Sequence, residues 1–123
     1  MSRSQISQRV LMDVVTVAKA GTSYSDSVRF SACTGSVILF IVSSAAVSEV
    51  TISQQCSAND VDWYDPIDTG GLALGVLCTD LTTTTGRYTS FAPTLCNYIR
   101  FKVVEGNHAA TNVTLKLLFR LEV

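Results

Sequence analysis

Four aspartates within nine residues, Asp60, Asp62, Asp65 and Asp68, are the one arrangement in this sequence that could hold a hard cation. Calcium takes about six to eight oxygens, and carboxylates at short intervals in a loop can supply several. The spacing lacks the glycine and the bidentate glutamate of an EF-hand loop. The alternative is a turn-rich loop in which Asp side chains accept backbone hydrogen bonds, and that is the reading expected, with no metal site. The only histidine, His108, stands in a Gly-Asn-His-Ala-Ala turn. General acid or base chemistry there would need an orienting carboxylate, for which Glu105 is the nearest in sequence; a surface turn residue is expected instead. No G-x-S-x-G elbow, Walker loop or G-x-G-x-x-G fingerprint occurs. Gly70-Gly71-Leu72-Ala73-Leu74-Gly75 is glycine-rich but lacks the Lys-Ser/Thr ending of a phosphate loop. The expectation is therefore a protein without catalytic residues, cofactor or enzymatic activity.

Cys33, Cys56, Cys78 and Cys96 contain no C-x-x-C pair and have one histidine to help them, so no zinc site is expected. Two disulfides are possible in three connectivities, but a chain made in a reducing cytoplasm is expected to keep buried thiols. Trp63, Tyr64 and Tyr88 could form a stacking platform for a sugar ring. Trp63, following the Asn59-Asp60 turn, also reads as a core anchor joining two sheets. Tyr98, Arg100 and Lys102 share one side of a strand, as either a solvated face or an interface patch.

The elements that must position these residues are strands. The chain has 123 residues, 47% hydrophobic and only 15% charged, with a formal net charge of -1. That length fits a single domain over 1–123 with a core of its own. The balance of charge excludes the basic footprint of a nucleic-acid module, and high hydrophobicity excludes disorder. Polar residues follow Met1-Ser2-Arg3, so no secretory signal is expected, and the longest apolar run, Val37 to Val42, is far short of the ~20 residues of a membrane span.

Beta-branched residues dominate, and helix formers never gather at helical spacing, so the chain reads as all-β. A first strand is expected from about Val10 to Lys19, with Leu11, Asp13, Val15 and Val17 on one face and Val10, Met12 and Val14 on the other. After a turn at Gly21-Thr22-Ser23, a second strand alternates Val28, Phe30 and Ala32; Thr34-Gly35-Ser36 is the next break. Val37 to Val42 is apolar on both sides, marking a strand covered on both faces, either by its own sandwich or by a neighbouring subunit. Strands follow at Val50 to Cys56 and Arg87 to Phe91, while Leu72 to Cys78 reads as strand or packed loop. Ile99, Phe101 and Val103, then Val113, Leu115, Leu117 and Leu121, predict an antiparallel hairpin with one core face. About eight strands make an antiparallel, jelly-roll-like β-sandwich the expected fold.

From Glu49 onward the strand Val50-Thr51-Ile52-Ser53 leads to Ser57-Ala58-Asn59-Asp60-Val61-Asp62-Trp63-Tyr64, a Gly-rich segment, Gly86-Arg87-Tyr88 and Asn97-Tyr98-Ile99-Arg100-Phe101-Lys102-Val103. This order resembles small β-sandwich virion structural proteins of tailed bacteriophages, such as head decoration (cement) proteins. Adhesion and carbohydrate-binding sandwiches share its turn-Trp element. The resemblance implies a Tyr-x-Arg-x-x-Val strand paired with the C-terminal strand. It also implies a non-enzymatic virion subunit made in the host cytoplasm. Its partners would be the major capsid protein or neck and tail proteins, and it would be a homo-oligomer such as a trimer, touching neither nucleic acid nor membrane. The contact surfaces expected are Leu11, Val15 and Val17 on one strand and Tyr98, Arg100 and Lys102 on another. The alternatives are a neck or tail component, or a receptor- or carbohydrate-binding module using Trp63, Tyr64 and Tyr88.

Overall fold

The computed structural model describes residues 4–29, 33–82, 84–94 and 96–122. Nine strands and no helix lie among them: β1 (Ser4–Val17), β2 (Thr22–Tyr24), β3 (Val28–Arg29), β4 (Cys33–Ser43), β5 (Val50–Ser57), β6 (Val76–Leu81), β7 (Arg87–Phe91), β8 (Tyr98–Glu105) and β9 (Thr111–Glu122). They form two sheets. Sheet A has the order β1-β9-β4-β7, and sheet B has the order β2-β8-β5-β6 with β3 also on β8. All pairings are antiparallel.

β2 and β3 are one interrupted strand, because both lie along β8. At the interruption Ser25 keeps the ladder going: its N–H donates to the Phe101 carbonyl and its hydroxyl accepts from the Phe101 N–H, each at 2.9 Å. Counted this way, the first strand pairs with the eighth, the second with the seventh, the third with the sixth and the fourth with the fifth. That nesting is a long hairpin, rolled up by the pairs β4-β9 and β5-β8. It is the jelly roll expected from the strand pattern.

Strand alternation builds the core. Ile99, Phe101 and Val103 of β8, Val50 and Ile52 of β5, Val37, Leu39 and Ile41 of β4, and Val113, Leu115 and Leu117 of β9 all point between the sheets and are buried. Phe91 meets Phe101 edge-on with ring centroids 6.0 Å apart.

Four local expectations are corrected. β8 and β9 do not form a hairpin, and β8 does not pair with the C-terminal strand. They lie in different sheets, and residues 106–110 carry the chain across the sandwich. Alternation identifies the inward residues of each strand but not the partner beside it. β4 runs straight through the break expected at Thr34-Gly35-Ser36, absorbing it as a register shift against β9 between Thr34 and Ile38. The turn expected at Gly21-Thr22-Ser23 is already strand from Thr22. Along β1 the simple alternation fails, because two register shifts against β9 each insert one extra residue, between Val10 and Met12 and between Met12 and Val15. Leu11 and Met12 are therefore both buried in succession, and Val14 takes a left-handed φ of 51°, uncommon for a β-branched side chain. The alternation expected at Phe30 and Ala32 lies outside the described residues.

One buried carboxylate ties the connections together. Glu105 Oε1 accepts from the N–H of Ala20 at 3.1 Å and of His108 at 2.8 Å, and Oε2 accepts from the Ser48 hydroxyl at 3.1 Å and the Glu49 N–H at 3.4 Å. These donors sit in the β1–β2, β4–β5 and β8–β9 connections, each of which switches sheets. Burial opposes the charge, but hydrogen bonds from Ala20, His108, Ser48 and Ala109 outweigh it and hold the carboxyl down to about 2. His108 thus meets Glu105 through its backbone, while its imidazole lies 3.4 Å from the Glu49 carboxylate. Glu105 is not the orienting carboxylate of a catalytic histidine.

Leu117→Asp, which puts a charge between the sheets, should abolish soluble folding, whereas Leu117→Ala should cost about 2–5 kcal/mol in urea unfolding. A well-folded Leu117→Asp protein would contradict this register. Glu105 has a lower pKa folded than unfolded, so its stabilisation is complete above the ordinary value of 4.5 and drains away as pH falls towards about 2. Thermal unfolding followed by circular dichroism should show that acid limb in the wild type. Glu105→Gln should lower the melting temperature at neutral pH and flatten the limb; parallel profiles would exclude Glu105 as its source.

Candidate functional site

The outward side of sheet A is the most unusual surface of the molecule. Inward residues of β4 alternate with Ile38, Phe40 and Val42, and the register places these beside Leu118 and Lys116 of β9 and beside Tyr88 and Ser90 of β7. Ile6 and Val10 of β1 extend the same side opposite Arg120 and Lys116. The Phe40 and Tyr88 rings lie 4.9 Å apart, and Lys116 Nζ sits 5.9 Å from the Phe40 centroid. Gly86, at φ 83°, passes under Phe40 so closely that a Cβ would stand 3.0 Å from the ring. Ile38 remains 37% exposed and Tyr88 68%. A hollow of about 260 Å³ is lined by Ile6, Ser36, Ile38, Ser90, Leu118, Phe119 and Arg120. The double-sided run Val37 to Val42 thus has one side in its own core, while on the other, among the described residues, Ile38 stays exposed and Phe40 and Val42 are only half-buried.

A second apolar surface rises from the excursion between β5 and β6. Nested side-chain turns shape it. The Ser57 hydroxyl accepts from the N–H of Asn59 and Asp60, Asn59 Oδ1 from Val61 and Asp62, and Asp68 Oδ1 from Gly70 and Leu72. Tyr64 makes a bridge with Cys56, and Gly75 closes the excursion onto β5, where a Cβ would stand 2.6 Å from the Gln54 carbonyl oxygen. With the backbone so fixed, Val61, Tyr64, Ile67, Leu72 and Leu74 all project into solvent. The segment Leu72 to Cys78, read as strand or packed loop, is split: β6 begins at Val76.

The four aspartates do not converge on a cation site. Asp68 caps its own turn, Asp65 Oδ1 accepts from Gln55 Nε2 at 2.9 Å, and Asp62 Oδ2 accepts from Asn59 Nδ2 at 2.9 Å. Among the described residues no three His, Cys, Asp or Glu side chains gather as metal ligands.

Trp63 is not a core anchor. It lies half-buried on the outer side of sheet B, where the Arg100 guanidinium is sandwiched 4.6 Å from its ring and 4.1 Å from that of Tyr24. Arg100 Nε donates to Gln55 Oε1 at 2.8 Å, and Gln55 in turn holds Asp65. This chain of contacts clips the excursion to sheet B. Tyr98, Arg100 and Lys102 do share one side of β8 and are half-buried, but Arg100 is engaged within its own chain. Leu11 and Val17, expected on a contact surface with Val15, lie in the core at 2% and 0% exposure; Val15 alone of the three is exposed. Both faces of β1 are apolar in part, so alternation alone does not mark which one turns inward. Trp63, Tyr64 and Tyr88 do not assemble into one platform, since Trp63 faces Arg100 and Tyr88 belongs to the opposite sheet.

A third feature is an open pocket of about 330 Å³ lined by Cys56, Ser57, Ala58, Tyr64, Cys96 and Asn97. Gln54 Nε2 reaches the sulfurs of Cys56 and Cys96 at 3.5 and 3.8 Å. Burial, together with Cys56 alongside, pushes the Cys96 thiol up to about 12. Cys56, Cys78 and Cys96 are free thiols, half-buried rather than fully buried; the Cys33 side chain lies outside the described residues.

No family model matches the sequence, and no curated protein matches it. Solved structures match the fold. A chain of infectious bursal disease virus, Gx strain, superposes with a TM-score of 0.53 at 14% identity, over 97% of this chain and 32% of its own. A chain of the VP2 subviral particle of infectious bursal disease virus gives a TM-score of 0.53 at 14% identity, over 97% of this chain and 33% of its own. The SPBc2 prophage-derived protein YomS gives 0.54 at 13% identity, over 96% of this chain and 95% of its own. The chain therefore spans about a third of the viral chains and nearly all of the prophage protein. At these identities the likeness is one of fold.

Arg100→Ala should destabilise by about 1–2 kcal/mol, removing two ring contacts and a charged hydrogen bond, and should change Trp63 fluorescence as the ring is uncovered. Arg100→Lys should recover only part of this, because an ammonium lacks the flat guanidinium. Unchanged stability and emission would disprove the clip.

Proposed function

We propose that this chain is a non-enzymatic structural subunit of a virus particle, a jelly roll whose outer sheet A side is covered by a neighbouring protein. The observation that carries the reading is that uncovered side, with Ile6, Val10, Ile38, Phe40, Leu118 and Tyr88 spread over four strands. Monomeric proteins rarely leave such a continuous apolar patch open, and interfaces are enriched in aromatic residues. Three fold neighbours come from a virus, a subviral particle and a prophage, which supports the same direction. Within this class we favour a decoration subunit on a bacteriophage head, where many weak contacts to capsid proteins add by multivalency. A neck or tail position is the nearest alternative.

Mass spectrometry of gradient-purified particles from the virus or prophage that encodes the chain should detect it in stoichiometric amount. Particles made without it should break at lower temperature and recover when purified protein is added. Absence from the particles would overturn the structural reading. Presence without any effect on head stability would overturn the decoration role.

A further inference from the structure

The two apolar surfaces differ in charge as well as position. Residues 30–86 contain six acidic side chains and not one Lys or Arg, and four of those acids, Asp60, Asp62, Asp65 and Asp68, stand in the excursion among its exposed apolar residues. The sheet A side carries Lys116 and Arg120, whose register partners Val10, Phe40, Ile6 and Thr34 are all uncharged. One surface is acidic, and the other is a hollowed sheet with basic residues. They lie on opposite sides of the sandwich, because the excursion is clipped to the outer side of sheet B through Trp63 and Arg100.

We propose that the excursion of one copy docks on the sheet A side of the next, a head-to-tail contact between identical chains. Charge selects this geometry over its two alternatives. Sheet A against sheet A would bring Lys116 and Arg120 towards their own counterparts, and excursion against excursion would oppose four aspartates to four. Head-to-tail contact pairs opposite charges around two apolar centres. Such a contact uses two different patches, so it closes into a ring or extends as a filament and does not stop at a symmetric dimer. The inference rests on the structural-subunit reading and names a second copy as the neighbour that covers sheet A.

Sedimentation velocity of the full chain over a range of concentrations should show self-association that weakens as salt rises. Ile38→Asp blocks the sheet, and Leu72→Asp blocks the excursion; both positions are exposed, and circular dichroism checks the fold. Each variant alone should self-associate at least about tenfold more weakly than wild type. Mixed together, they should form a one-to-one dimer that grows no further, because one intact excursion meets one intact sheet. Tyr88→Asp and Val61→Asp repeat the experiment at independent positions should either first variant misfold. A monomeric wild type, a mixture that stays monomeric, or a single variant that associates like wild type overturns the proposal. Detection in purified particles of a chain that is monomeric in solution would refute this contact while leaving the structural role intact. Head-to-tail assembly of a chain absent from particles would do the reverse.

Discussion

Everything in this sandwich hangs on a carboxylate that cannot reach water. Glu105 ends β8 with its side chain turned inward, and its two oxygens collect donors from three separate places where the chain leaves one sheet for the other. Among the described residues no helix and no disulfide braces these crossings. It must satisfy the backbone N–H groups of each connection or leave them buried and unpaired, at a cost of about 1–3 kcal/mol apiece. One acidic residue satisfies several at once, and the neighbouring backbone bonds, Glu105 N–H to the Gly21 carbonyl and Gly106 N–H to that of Glu49, close the same knot. The two sheets are thereby held in register at that end, and the apolar residues between them can pack in one arrangement.

Much of this architecture was legible beforehand because strand alternation is a local signal. Inward residues of β5, β8 and β9, the limits of β7, and the double-sided nature of Val37 to Val42 all follow from period-two patterning and turn chemistry. What escaped was non-local. The partner of a strand leaves no mark in its own residues, so β8 and β9 read as a hairpin although they belong to different sheets. β1 is apolar on both faces, so alternation leaves its inward face unmarked, which is why Leu11 and Val17 read as surface residues. Glu105 drew notice only as a neighbour of His108, since nothing local distinguishes a solvated glutamate from one that caps three connections.

The surfaces were half readable. Ile38, Phe40 and Val42 announced themselves through a run apolar on both sides, and Arg100 and Trp63 through residue type. Their pairing with each other could not be foreseen, because it joins β8 to an excursion that begins after β5. The exposed Val61, Ile67, Leu72 and Leu74 were hidden among Gly, Pro and Asp, where hydrophobic residues pass for ordinary loop packing. The signal available was the long cation-free stretch that contains them, a feature of charge order rather than of hydropathy.

The nested pairing also sets a timetable. β1 precedes the other described strands in the chain, and among the described residues its one partner within sheet A is β9, which in turn separates it from β4. Until β9 is made, Ile6 and Val10 have no Leu118 beside them, and the Ile38 side of β4 has a neighbour only in β7. Contacts this distant in sequence form late and slowly. The apolar surface of sheet A is therefore completed only when β9 inserts between β1 and β4, after the excursion that carries the acidic surface has already been made.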